Sequence, residues 1–137
     1  MAPVRVQYSY SHHSNSESTE IRAFIRGDPY VKKKTHGRTE GPKEWLSAVK
    51  DQTRGLPRLP GPCELEVEFV LWPGSSPSDH PYGPDLDNLL KNLMDGLNET
   101  ILKDAPGGDG AVIRLVASKR TMRSDEPTGA RIVVRPA

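Results

Sequence analysis

A single cysteine, Cys63, occurs in the 137 residues, so the chain can form no internal disulfide and offers no thiolate cluster for zinc. Cys63 opens an apolar stretch and reads as a small core residue. No run of 18 apolar residues occurs, which argues against a membrane-spanning helix. The first ten residues carry polar and charged groups where a secretory signal has its hydrophobic region, so a cytoplasmic location is expected. Also missing are a Gly-rich phosphate loop, a His-Glu-x-x-His helix and a Gly-x-Ser-x-Gly elbow. Apolar content is only 34%, with 12 Gly and 13 Pro. The core must therefore be small and loops plentiful, in one domain spanning residues 1–137, with oligomerisation a natural supplement.

The near-zero net charge of +1 conceals an asymmetry. Residues 1–62 hold 11 Lys and Arg against 6 Asp and Glu, residues 63–109 hold 2 against 10, and residues 110–137 hold 6 against 2. An acidic centre between basic flanks suits a protein that places a cation centrally and holds a polyanion around it. A solvated face is the plain alternative for any one charge run, including Lys32, Lys33 and Lys34.

Periodicity predicts an α+β domain with helices packed on one face of a mixed β-sheet. Residues 11–19 are polar and read as a flexible segment, residues 20–26 as a strand, and residues 30–41 as a basic surface loop. Pro42 starts a helix over 43–54, followed by a Gly- and Pro-rich linker at 55–62. Residues 63–72 alternate: Leu65, Val67, Phe69 and Leu71 on one side, Glu64, Glu66 and Glu68 on the other, as in a half-buried strand with a solubilising outer face. A helix over 87–102, a loop at 103–110, and strands at 111–118 and 130–135 complete the order.

The stretch Asp85-Leu-Asp-Asn-Leu-Leu-Lys91 carries the chemistry. At roughly 100° per residue, Leu86, Leu89, Leu90, Leu93, Met94, Leu97 and Ile101 share an apolar arc, while Asp87, Lys91 and Asn98 form a polar stripe opposite. An acid near a helix start is commonly a cap, and Lys91 could pair with Asp87 or Asp95. A cap does not account for a second Asp two residues earlier and a Lys one turn later. Asp85 and Asp87 match the need of Mg²⁺ for one or two carboxylates with retained water, and Mn²⁺ accepts the same donors. A third acid would come from Asp109, which stands immediately before a strand, or from Asp104. Leu89 and Leu90 occupy positions that an EF-hand reserves for ligands and glycine, which excludes that motif.

Asp85-Leu-Asp87-Asn88-Leu89-x-Lys91, then Asp95 and Leu97, then Asp109-x-x-Val112-x-x-Leu115-x-x-x-Lys119, resembles the RusA family of Holliday junction resolvases over residues 84–119. The resemblance implies that Asp85, Asp87 and Asp109 bind magnesium and that Lys91 is catalytic. The family commonly has two adjacent acids after the helix, whereas here Asp104 and Asp109 are separated, which leaves Asp104 as the alternative third ligand. It further implies a homodimer that binds a four-way DNA junction and nicks opposed strands symmetrically, leaving 5′-phosphate and 3′-hydroxyl ends. Lys32, Lys33, Lys34, Arg38, Lys119, Arg120 and Arg123 are the candidate phosphate contacts. A non-catalytic branched-DNA-binding protein and a phosphotransfer enzyme acting on small nucleotides are the competing readings.

Overall fold

The computed structural model describes residues 20–29, 34–35, 38–39, 41–73 and 85–137. The segment 11–19, Lys32 and Lys33 lie outside these residues. The elements are β1 (Ile21–Arg26), β2 (Lys34–Thr35), β3 (Arg38–Thr39), α1 (Gly41–Thr53), β4 (Cys63–Leu71), α2 (Leu86–Leu97), β5 (Val112–Thr121) and β6 (Gly129–Pro136), with one 3₁₀ turn at Gly108–Ala111 before β5. Four strands form one mixed sheet in the order β1-β6-β4-β5, in which β4 runs parallel to β5 and antiparallel to β6. The α+β architecture expected from periodicity is the one observed. Within the segment read as an aperiodic loop, β2 and β3 form a two-residue ladder with Lys34 opposite Thr39 and Thr35 opposite Arg38.

β4 organises the sheet because its alternation separates two chemistries. Cys63, Leu65, Val67, Phe69 and Leu71 are buried, and across the register they join Ala130, Ile132 and Val134 of β6 and Ile21, Ala23 and Ile25 of β1 in one core. Glu64, Glu66 and Glu68 face the other way, opposite Arg135, Val133 and Arg131. Since β5 and β6 flank β4 on opposite sides, the connection 122–128 must cross the end of β4. It is tied there by the Met122 N–H donating to the Leu71 carbonyl at 2.8 Å.

Both helices cover the apolar side. Trp45 and Val49 of α1 and Leu89, Leu93 and Leu97 of α2 recur at helical spacing and are each at most 1% exposed. The helices meet where Gly96 lies against Val49, so closely that a Cβ on Gly96 would sit 2.5 Å from Val49 Cγ1. Beyond it, the Thr53 and Thr100 hydroxyls are 2.7 Å apart and buried, and Thr53 also donates to the Val49 carbonyl at 2.6 Å. This polar pair is satisfied internally, which is the condition for burying it at low cost.

α2 ends at Leu97, five residues short of the expected end at 102. The backbone tightens after Gly96: the Glu99 N–H bonds to the Gly96 carbonyl, and the Leu102 N–H reaches the Leu97 carbonyl at 2.9 Å. Ile101 and Leu102 are still buried, because the turn folds them under the linker, where the Leu59 N–H donates to the Ile101 carbonyl at 2.9 Å. The apolar arc therefore continued past the helix without the helix continuing. Among the described residues no helix is long and apolar enough to cross a membrane.

Because Gly96 is pressed against Val49, Gly96→Ala should force the helices apart and destabilise the fold by about 1–3 kcal/mol, as overpacking of a core does. Chemical denaturation of the two proteins measures this, and equal midpoints would show that the contact yields freely.

Candidate active site

α2 opens with its acids in water. Asp85 is the residue at which the helix begins, extended at φ −62°, ψ 137°, and its carbonyl accepts the Leu89 N–H at 3.1 Å. Its carboxylate makes no capping hydrogen bond, and Asp87 lies in the first turn rather than at the cap. Neither acid is therefore consumed in closing the helix. Leu86 is half-buried and packs against the core, which leaves Asp85 and Asp87 on its two flanks, both exposed. Lys91 is exposed one turn further on, and among the described residues it forms no ion pair with Asp87 or Asp95. Unpaired backbone N–H groups at this helix end add a partial positive charge beside the carboxylates.

The third acid lies elsewhere. Asp109 sits in the 3₁₀ turn, exposed, and accepts a hydrogen bond from Asn98 Nδ2 at 3.3 Å. Asn98 is the residue that closes α2. At 1.5 Å per residue, Asp87 and Asn98 are separated by roughly 16 Å along the helix, far more than one ion with oxygen ligands near 2 Å can bridge. Asp104 is also beyond the helix end, where it meets Arg58 at 3.4 Å. Among the described residues no three of His, Cys, Asp or Glu come close enough to hold a metal. The structure thus sets Asp85, Asp87 and Lys91 at the start of α2 and Asp109 and Asp104 at its opposite end. Linear spacing could not reveal this, since it depends on α2 running back along the sheet before β5 begins. The polar stripe is real nonetheless, and its last member, Asn98, is what holds Asp109.

The basic residues divide by their neighbours. Arg120 donates to both oxygens of Glu126, at 2.7 and 2.5 Å, and its Nε is 3.3 Å from Glu68. Glu126 also accepts the Arg123 backbone N–H at 2.9 Å. Arg120 is therefore held between two carboxylates that pin the 122–128 crossing to the sheet, while the Arg123 side chain is exposed. Lys119 is half-buried opposite Phe69, and Lys34 and Arg38 fall in the β2–β3 ladder. On the same outer face Arg135 reaches Glu66 at 2.7 Å, Glu20 at 3.3 Å and Glu64 at 3.7 Å. The alternating glutamates read as solubilising are thus members of a cross-strand ion-pair ladder, which only the strand register discloses.

The Arg120 hydrogen bonds, aided by the Arg123 N–H, hold the Glu126 carboxyl down at about 2 against an ordinary value of 4.5. A carboxylate with a depressed pKa stabilises the fold above its ordinary pKa and loses that contribution as pH falls through the depressed value. Glu126→Gln should accordingly be less stable than wild type at neutral pH, with the gap closing between pH 4.5 and 2. Melting curves across that range test it, and a gap independent of pH would remove the ion pair as its cause.

Comparison with curated proteins finds no match. The sequence profile described as Endodeoxyribonuclease RusA, however, matches residues 29–135, well over half the chain and including both α2 and the acids at its two ends. With the Asp85, Asp87 and Lys91 constellation standing free at the start of α2, this match shows that the chain belongs to the RusA endodeoxyribonuclease family.

Proposed function

We propose that the protein is a magnesium-dependent, structure-selective endonuclease that works as a homodimer on four-way DNA junctions and nicks opposed strands to leave 5′-phosphate and 3′-hydroxyl ends. The observation that carries this reading is the exposed Asp85, Asp87 and Lys91 at the open start of α2, in a chain of the RusA family. Two exposed carboxylates with no hydrogen-bond partner among the described residues are a hard-oxygen donor pair that suits Mg²⁺, which retains several waters of its own. Bound there, the cation supplies Lewis-acid activation of the scissile phosphate and lowers the pKa of an attacking water. The Lys91 ammonium, one turn above Asp87, neutralises charge that develops on the phosphoryl oxygens. Exposed Arg123 contacts flanking phosphates without reading sequence.

A second copy is supported by two features. β5 is an edge strand on which Ile113, Leu115 and Val116 remain 64%, 44% and 44% exposed. An apolar edge of this kind is a template for pairing with another strand. Antiparallel pairing of β5 with its two-fold mate would keep the helix faces on one side and reverse strand direction across the axis. Asp109 of the partner subunit, just before its β5, would then come to the end of the sheet where α2 begins. The dimer thereby supplies beside Asp85 and Asp87 the acid that one chain holds at the other end of α2.

Asp87→Asn should keep fold and junction binding while cleavage falls about 100-fold or more, the equivalent of roughly 3 kcal/mol of transition-state stabilisation. End-labelled four-way junction and linear duplex, each with magnesium and with chelator, provide the assay. Retained cleavage would take Asp87 out of the site. Mixing Asp87→Asn protomers with Asp109→Asn protomers should restore single-strand nicking, because one of the two composite sites is then intact. If the mixture stays inactive while both variants dimerise, the acids do not combine across subunits.

A further inference from the structure

The chain has two tryptophans in opposite circumstances. Trp45 is 1% exposed in the helix–sheet core, whereas Trp72 is 55% exposed. β4 has completed its apolar row with Leu71, so Trp72 adds nothing to the core. Among the described residues it makes no ring, cation or hydrogen-bond contact. Nor does it belong to the apolar edge of β5. Parallel register sets Leu65 and Glu66 beside Leu115 and Val116, so six residues of β4, roughly 20 Å, separate Trp72 from that patch.

We propose that Trp72 is a stacking platform for an unpaired base at a DNA branch point, and thereby the residue through which the site distinguishes a junction from continuous duplex. The proposal rests on the nuclease reading above. Trp72 follows the C-terminal end of β4, beside the crossing segment that presents Arg123, since Leu71 pairs with Thr121 and accepts the Met122 N–H. α2 reaches its other end at Asn98 and Asp109, next to the start of β5, so its acidic start lies toward this same end of the sheet. An indole, an exposed guanidinium and the acids are thus grouped at one end. In uninterrupted duplex the base faces are covered by their neighbours, and an exposed indole meets only sugar and phosphate. At a branch point a base can leave the stack and offer its face. Stacking on an aromatic is sequence-tolerant, because every base has such a face. Selectivity for shape without selectivity for sequence follows from this one side chain.

The test uses full-length protein with chelator present, so that DNA stays intact, and compares a four-way junction carrying 2-aminopurine at the branch point with duplex of the same sequence. Junction should quench wild-type tryptophan emission and change 2-aminopurine emission. Trp72→Phe should lose the tryptophan quench, leaving buried Trp45 to emit unchanged. Trp72→Ala should lower junction affinity about tenfold, the loss of one base stack, with duplex affinity, melting temperature and sedimentation unaltered. Quenching that survives in Trp72→Phe would overturn the proposal. So would equal weakening toward junction and duplex in Trp72→Ala, or a shift to monomer, which would make Trp72 an interface residue. Wild-type protein that fails to cleave junction with magnesium would refute the nuclease reading instead, and a separate cleavage lane reports that outcome independently.

Discussion

The contact between Gly96 and Val49 governs where α2 can lie, and the geometry of the site follows from it. With no side chain at 96, the two helices approach to van der Waals contact, and Leu89, Leu93 and Leu97 reach the sheet as one row. That seating fixes the direction of the helix axis. It determines that Asp85 and Asp87 emerge at one end and that Asn98 meets Asp109 at the other. A glycine thus helps set the separation between Asp85 and Asp87 at one end of α2 and Asp109 at the other.

The two faces of the sheet solve different problems. The helix side gains stability from apolar burial. The outer side is stitched by Arg120 and Arg135 to glutamates from neighbouring strands and from the 122–128 crossing. Pairs this exposed contribute little individually, but they neutralise an acidic strand face that would repel DNA. Part of the basic charge in the C-terminal third is therefore committed to the fold. Arg123 is among the basic side chains of this segment that stay exposed.

β4 and the start of α2 were readable in the sequence because each obeys a local rule. Alternation from Cys63 to Phe69 needs no partner to be recognised, and the Leu spacing from 86 to 97 defines a helix face by itself. The end of α2 was not readable, because Ile101 and Leu102 prolong the apolar pattern although the backbone has already turned. The pairing of Arg120 with Glu68 and Glu126 was hidden because strand register is a tertiary property. Asp85, Asp87 and Lys91 could be named from a seven-residue motif. The position of Asp109 relative to them could not, since it depends on a helix reversing between two parallel strands.

At the sheet edge opposite β5, β1 pairs among the described residues with β6, Ile21 opposite Val134 and Arg26 opposite Gly129. Among the described residues, the strand of this sheet made first therefore waits for residues 129–134 before its ladder can form. At roughly 5–20 residues per second, about 5–20 s of synthesis separate the two paired strands. Arg22 and Arg26, interleaved with Ile21, Ala23 and Ile25, give the waiting segment a positive charge that discourages pairing with other nascent chains. Closing the sheet is then a late, non-local event, of the kind that makes folding slow relative to helix formation. The β1–β6 seam joins the two described strands of this sheet that lie farthest apart in the chain.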